Sequence, residues 1–562
     1  MRMRSLYRCG ATTLLLYEQV TLADLGIQAN DVDTLKSAAK MVAAPMMEFY
    51  DKNQTEGIPG KLTGTWYVAG AMFMTLIQYW HASSDDTYNP VVSHDLMFQS
   101  GENYDFFSKN YSHWLGNDDQ MFWGLASITA SETGFPEIPD KPTWTSLARA
   151  VFNMQVARWD TTDCDGGMRW QIPLYLPGYT MKNAISNGGL FELSARLARF
   201  TMNNTYAQWA EKIWDWSAST PLLQTNHWYI ADSTSIEAKC KDAGNTQWSY
   251  NYGTYLSGAS FMYNYTNGNE QWLERVNGLL NSLLGTFCPN DKGGNVLSEV
   301  ACEPIMTCDR NQIGFKGYTA MWLAHTAILV PSTANRIYPV LQGSALAISK
   351  QCSKQPDNTC GIRWWQSTWD GFTPGLESQM AALGGITANL MYFKSTAPKT
   401  IDTNPDGKEH QIIATHEDET TLDTLPPVDA ADRAGGWILT VIIVLTAGGS
   451  VWCDEPGFTP SGEVKGTEEL ATQLQATLVV RSISDQAHEQ TKTLMDILFG
   501  LASNALYCSM VTFQWIYREG GEEQAKSQLE DMKAWMRRLS ERWRLASEYL
   551  TLSEIYRTVE TP

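Results

Sequence analysis

The sequence predicts an all-α fold, an (α/α)6 barrel or toroid, followed by an apolar C-terminal segment and a helical extension. Three observations carry that expectation. Segments rich in small and aromatic residues and poor in charge recur roughly every sixty residues through the first 390. Each is apolar on most sides, as a helix enclosed by other helices must be. Between them lie amphipathic stretches at 145–157, 206–216 and 270–284, each with one apolar stripe. Six inner helices alternating with six outer ones close into a ring.

The inner segments begin near Gly64, Leu115, Asn187, Asn251, Phe315 and Glu377, and they mark 30–395 as one domain. Residues 1–29 read as a degraded signal region. Arg2, Arg4 and Arg8 give a basic start, but the apolar run at 11–17 is short and no small-x-small cleavage site follows. Residues 396–433 hold many threonines, acids and prolines and read as a polar linker or stalk. The next twenty, 434–453, carry no charge and are just long enough to span a bilayer. They read as a membrane-anchor segment, the alternatives being a buried helix or an anchor signal that is removed. Residues 454–562 read as a helical extension. Met532, Trp535, Leu539, Trp543, Ala546 and Leu550 recur there at helical spacing, which suits a partner-binding tail. Fusion of two reading frames gives the same pattern.

Charge narrows the ligand. Of the 562 residues 41 are basic and 61 acidic, a formal net charge of −20. Phosphate backbones need a basic footprint, so nucleic acid is excluded as a partner and a neutral or cationic ligand fits better. The 22 tryptophans and 24 tyrosines offer flat faces that stack on sugar rings, and the same residues also fill cores. Seven cysteines fall inside the toroid: Cys164, Cys240, Cys288, Cys302, Cys308, Cys352 and Cys360. Cys302/Cys308 and Cys352/Cys360 are close enough to be local staples. The odd number leaves at least one thiol unpaired or joined to an outside partner such as Cys9. No CxxC spacing or neighbouring histidine points to zinc. Sequons at Asn53, Asn110, Asn203 and Asn264 add to the picture of a disulfide-bonded glycoprotein on the secretory route.

One inner segment differs from the rest. Leu-Gly-Asn-Asp-Asp-Gln-Met-Phe-Trp-Gly (115–124) opens with paired acids, Asp118 and Asp119. Two carboxyl groups about 5–5.5 Å apart are the minimum for breaking a glycosidic bond with retention. Sequence neighbours reach that distance at the head of a helix, whereas deep inside one they diverge by roughly 100°. Asn117 or Asp118 is a good N-cap, so the helix is expected to start here, and the acids cap it in the bland reading. The helix dipole favours one ionised aspartate, while mutual repulsion raises the other. Asn117, Trp66, Asn187, Asn251 and Lys316 are further candidates as sugar contacts, because in a toroid the heads of the inner helices ring one mouth. Each also reads as a cap or core residue. The run 163–167 reads as a tight turn, and His410 and His416 as solvated linker residues. No Walker, GxSxG or dinucleotide glycine pattern stands in a suitable context, and no metal or cofactor is expected.

At these residues a resemblance becomes specific. The 115–124 segment resembles the catalytic stretch of glycoside hydrolase family 76, the α-1,6-mannanases. Further segments are similar to its fungal cell-wall branch of Dfg/Dcw-type mannosidases. They are Ala-Arg-Trp-Asp (157–160), Cys-Asp-Gly-Gly-Met-Arg-Trp-Gln (164–171), Lys-Asn-Ala-Ile-Ser-Asn-Gly (182–188), Cys-Glu-Pro-Ile-Met-Thr-Cys (302–308) and Phe-Lys-Gly-Tyr (315–318). The similarity runs from about residue 30 to 393. It implies an (α/α)6 barrel and a retaining mechanism on α-1,6-linked mannose, with Asp118 as nucleophile and Asp119 as acid/base. It also implies a donor that is α-1,6-mannan or the GPI-core glycan of a protein, wall glucan as acceptor, and anchorage at the outer face of the cell membrane and wall. The alternative is a catalytically silent mannan-binding wall protein. Departures from the pattern are the leader and the hundred residues after Cys453.

Overall fold

A computed structural model describes residues 25–55, 57–62, 65–107, 114–352 and 358–408. Most of the leader, the apolar 434–453 segment, the extension, Cys9 and the sequon at Asn110 lie outside the described residues. Twelve α-helices alternate in role along the described chain. They are α1 (Val32–Asn53), α2 (Trp66–Ser83), α3 (Asn89–Gln99), α4 (Asn117–Thr133), α5 (Trp144–Ala157) and α6 (Ala184–Thr201), then α7 (Asn204–Ser219), α8 (Ser249–Tyr265), α9 (Glu270–Phe287), α10 (Arg310–Leu329), α11 (Ala334–Cys352) and α12 (Leu376–Lys394). The even-numbered helices each pack on the next, and α12 returns to α2, so the inner ring is closed.

Burial separates the two rings as the sequence pattern requires. In α4 every residue except Asp118 and Asp119 is buried. In the outer α9 burial is confined to a stripe of Trp272, Val276, Leu279, Leu280, Leu283 and Phe287 with one small residue. Asn-type caps start several helices: the side chains of Asn183, Asn203 and Asn269 accept backbone N–H groups at the heads of α6, α7 and α9. Enclosed charge is paired. Arg196 reaches Glu132 at 2.6 Å and Glu192 at 3.2 Å, while Thr254 and Ser257 each donate to Glu192 at 2.9 Å. That network ties α4, α6 and α8 together inside the ring.

The strands are short. β1 (Met181–Asn183) pairs antiparallel with a later strand, Ser233–Ser235, and a two-residue pair joins Leu223–Gln224 to Tyr229–Ile230. Both local cysteine staples form, and a third disulfide joins Cys164 to Cys240. Cys288 is free and buried, and burial pushes its thiol up to about 12. The described residues run on past 395 to 408. The chain there docks across the C-terminal ends of the inner helices, with Lys399 N–H donating to Glu132 O and Ile401 N–H to Phe200 O. Two sequon carboxamides are engaged inside the fold, Asn53 with Phe49 O and Asn264 with Arg199. No helix among the described residues is long and apolar enough to cross a membrane.

Candidate active site

A cavity of about 380 Å³ opens at the N-terminal ends of the inner helices, within the range of a small-ligand site. Its walls come from the first residues of successive helices: Thr65, Trp66 and Tyr67 on α2, Asp118 and Asp119 on α4, Asn183 at α6, Trp248 and Tyr250 at α8, and Asp309, Asn311 and Gln312 at α10. Trp114, Trp170, Phe122 and Phe315 complete an aromatic enclosure, and Asp232 adds another acid. Among the described residues no lysine, arginine or histidine lines it.

The head of α4 is held rigidly. Its N-cap is Gly116, one or two residues earlier than the expected Asn117 or Asp118. Asn117 instead acts as an anchor. Its N–H donates to Trp170 O at 2.8 Å, its amide donates to Arg169 O at 2.9 Å, and its Oδ1 accepts from Arg158 at 2.8 Å. With the backbone fixed, the two acids turn to the cavity. Asp118 Oδ1 accepts the Asp119 N–H at 3.0 Å and Oδ2 accepts from Asn183 at 3.3 Å. Asp119 Oδ2 accepts the Gly116 N–H at 2.7 Å. A Cβ at 116 would overlap Asp118 Oδ1 and come within 3.2 Å of Asp119 Oδ2, so both oxygens close on one point. They therefore lie no farther apart than about 5.5 Å.

Burial, and then the charge of Asp119, hold the Asp118 carboxyl well above the usual range, with the Asn183 hydrogen bond acting against them. Burial raises Asp119 to about 6, with the Gly116 N–H working the other way. Such a pair holds its protons to a higher pH than free carboxyls do and can serve as acid and base in turn. Asp232 is raised too, by burial, while Asn251 donates to it at 3.2 Å. Tyr250 stacks on Phe315 with centroids 3.6 Å apart and planes within 6°. Tyr67 donates to Asn311 at 2.8 Å.

Of the sequence-predicted site residues, Asp118, Asp119 and Trp66 face the cavity. Trp66 is fixed by its Nε1–H to Gln99 at 2.7 Å and by stacking on Trp123. The others are placed elsewhere. Asn117 anchors α4 as described. Asn187 is buried, exchanging hydrogen bonds with the Met168 backbone at 2.8 and 3.0 Å. Asn251 stands behind Asp232. Lys316 is buried in an ion pair with Glu303 and also donates to Ile362 O. Each satisfies a neighbour that would otherwise be stranded. Asn183, Asp232, Tyr250, Asp309, Asn311 and Gln312 were missed. Asn183 stood inside a recognised motif, whereas Asp232 lies in a loop with no local signal.

Comparison with known proteins agrees with this architecture. The family model for glycosyl hydrolase family 76 matches residues 34–402. The mannan endo-1,6-alpha-mannosidase DCW1 of Candida albicans is 38% identical over 436 residues, which covers 76% of this chain and 95% of that protein. DFG5 of the same species, also a mannan endo-1,6-alpha-mannosidase, is 34% identical over 80% of this chain and 99% of its own length. Among solved structures, Dfg5 from Chaetomium thermophilum in complex with glucosamine superposes with a TM-score of 0.64 at 37% identity, covering 68% of this chain and 95% of that one. An inactive variant of the α-1,6-mannanase GH76A of Salegentibacter, in complex with α-1,6-mannotetrose, shares the fold at a TM-score of 0.51 and 17% identity, over 63% and 99% of the two chains. With a closed ring of six inner helices, an acid pair at the head of one of them and a family match over residues 34–402, the chain belongs to glycosyl hydrolase family 76.

Proposed function

We propose that this protein is a retaining glycosidase and transglycosidase of α-1,6-mannosyl linkages in fungal cell-wall biogenesis. Its donor is α-1,6-mannan or the GPI-core glycan of a protein, and wall glucan serves as acceptor. The observation that carries the reading is the acid pair at the mouth, two carboxyl oxygens within about 5.5 Å on a fixed helix head. Relatives named mannan endo-1,6-alpha-mannosidase support the substrate, and their place in fungi supports the secretory route to the wall. The apolar 434–453 segment supports membrane attachment.

In this reading Asp118 attacks the anomeric carbon as the C1–O bond breaks, and the departing oxygen takes the proton of Asp119. Asp119 then removes a proton from water or from an acceptor hydroxyl, whose oxygen displaces Asp118 from C1. Burial holds both carboxyls above the usual range, Asp118 well above it and Asp119 to about 6. Attack needs Asp118 ionised and the proton on Asp119. Asn183, the Asp119 N–H and the α4 dipole all favour the anionic Asp118. Asp232, Asn311 and Gln312 supply partners for sugar hydroxyls.

Mass spectrometry of products from an α-1,6-mannooligosaccharide mixed with a glucan oligosaccharide tests the proposal. A mixed mannose–glucan product is expected, and it should vanish in Asp118→Asn while the oligosaccharide still binds. Shortened mannosides alone would limit the enzyme to hydrolysis. Undiminished turnover in Asp118→Asn would remove that residue from the nucleophile's place.

A further inference from the structure

The end of the barrel opposite the mouth encloses another, much smaller cavity, of about 20 Å³. Its walls are the last two turns of inner helices and the chain beyond them: Gln78 and His81 on α2, Glu132 on α4, His325 on α10, Lys394 on α12, then Thr396. Because α4 and α10 stand opposite each other in the ring, the cavity lies on the barrel axis.

Two buried side chains in its wall each leave a polar atom without a hydrogen-bond partner among the described residues, Glu132 Oε1 and His325 Nδ1. Their other atoms are engaged. Glu132 Oε2 accepts from Arg196 at 2.6 and 3.1 Å, and His325 Nε2 lies 3.1 Å from Gln78 Nε2. An amide nitrogen only donates, so the ring accepts at Nε2 and carries its proton on Nδ1. One N–H donor and one carboxylate acceptor are thus left to the cavity. Buried groups of that kind are costly to leave unmatched.

We propose that one internal water occupies this cavity, accepting from His325 Nδ1–H and donating to Glu132 Oε1, and so ties α4 to α10 across the barrel axis. The volume suits a single water and little more. A cation is disfavoured by Arg196, Arg199, Lys394 and Lys399. Burial and then these charges hold His325 well below the usual histidine range and His81 down to about 4. An anion would meet the Glu132 carboxylate. Lys394 and Thr396 are exposed, which gives water a path in. Glu132 makes the tie matter beyond two helices, because its backbone oxygen also accepts the Lys399 N–H at 2.7 Å. Through Arg196, Lys399 and the water, one residue joins α4 to α6, to the chain past α12 and to α10.

A crystal structure of the full chain at about 1.8 Å or better reads the site directly. One solvent peak roughly 2.7–3.2 Å from both Glu132 Oε1 and His325 Nδ1 is expected. No peak there, or one with several oxygen ligands at metal distances of about 2.0–2.6 Å, would overturn the proposal. Urea titrations of His325→Phe, Glu132→Gln and the double variant test the tie in solution. Glutamine keeps an oxygen for Arg196, and phenylalanine keeps a ring against Phe261. Glu132 and His325 bond other partners rather than each other, so without the water their effects on the unfolding constant should multiply to within about twofold. With the water, either substitution alone already breaks the bridge. The double variant's unfolding constant should then fall short of the product of the two effects by about tenfold. Simple multiplication would mean that nothing joins the two side chains.

Discussion

Gly116→Ala separates catalysis from folding. Gly116 has φ −86° and ψ 158°, extended backbone that alanine adopts without strain. Alanine narrows the unfolded ensemble, a gain of about 0.4–1 kcal/mol, and is a poorer N-cap by a similar amount, roughly 0.5–1 kcal/mol. The two nearly cancel, so Tm should move by no more than about 3 °C. Activity is another matter. The new Cβ overlaps Asp118 Oδ1 and comes within 3.2 Å of Asp119 Oδ2. The backbone cannot yield, since Asn117 is clamped to Arg158, Arg169 and Trp170. The Asp118 carboxylate must therefore swing away from Asn183 and the Asp119 N–H. A displacement of about 1 Å costs roughly 10²-fold in rate, or about 2.7 kcal/mol of barrier. Initial rates on an α-1,6-mannooligosaccharide, beside a thermal melt, check both halves. A kcat within about threefold of the parent, under 1 kcal/mol of barrier, would refute the reasoning. A matching collapse in Tm would turn the loss into a folding defect.

Three further outcomes follow from buried groups. Lys316→Met strands Glu303 without its partner and should cost about 3–5 kcal/mol of stability in a denaturant titration, with KM unchanged. A raised KM at full stability would return Lys316 to the substrate. Burial raises Glu299 to about 8 and Glu192 to about 7, above the roughly 4.3 of an unfolded glutamate. The folded chain then holds protons that the unfolded chain releases, so this stability is complete below about pH 4.3 and lost as pH rises through 7 to 8. Urea midpoints should fall from pH 5.5 to pH 8.5, and a rise would contradict the assignment. Replacing Cys164 and Cys240 by serine opens a loop of sequence separation 76 and should lower stability by about 3–4 kcal/mol, read as the shift in urea midpoint. An unshifted midpoint would mean that the bridge constrains nothing.

The ring was legible because it repeats. A helix buried on every side needs a different composition from one buried along a stripe, and that difference recurs six times in this chain. Sequence separation also sufficed for Cys302–Cys308 and Cys352–Cys360. It could not give Cys164–Cys240, whose partners meet only when β1 pairs with the strand at Ser233–Ser235. Asp232 was hidden for the same reason. It reaches the mouth because its carbonyl accepts the Ala184 N–H, a contact between segments far apart in the chain.

Beyond the acid pair Trp66 does face the cavity, whereas Asn187 and Lys316 were lost to helix register. Treating Asn187, Asn251 and Lys316 as equivalents of Asp118 assumes that all six inner helices start at the same place in the repeat. They do not. Asp118 is the second residue of α4, whereas Asn187 is the fourth of α6 and Lys316 the seventh of α10. At 1.5 Å of rise per residue, two to five residues of offset move a side chain about 3–8 Å away from the mouth. That is enough to exchange solvent and sugar for a buried backbone partner. The true counterparts are earlier: Asn183 caps α6, Tyr250 is second in α8, and Asn311 and Gln312 are second and third in α10. A repeat therefore fixes which end of the barrel carries the cavity, while the caps decide which residues line it. Caps are set by local contacts that differ at every helix head, such as the Asn117 clamp at α4 and the Asp309–Gln312 capping box at α10.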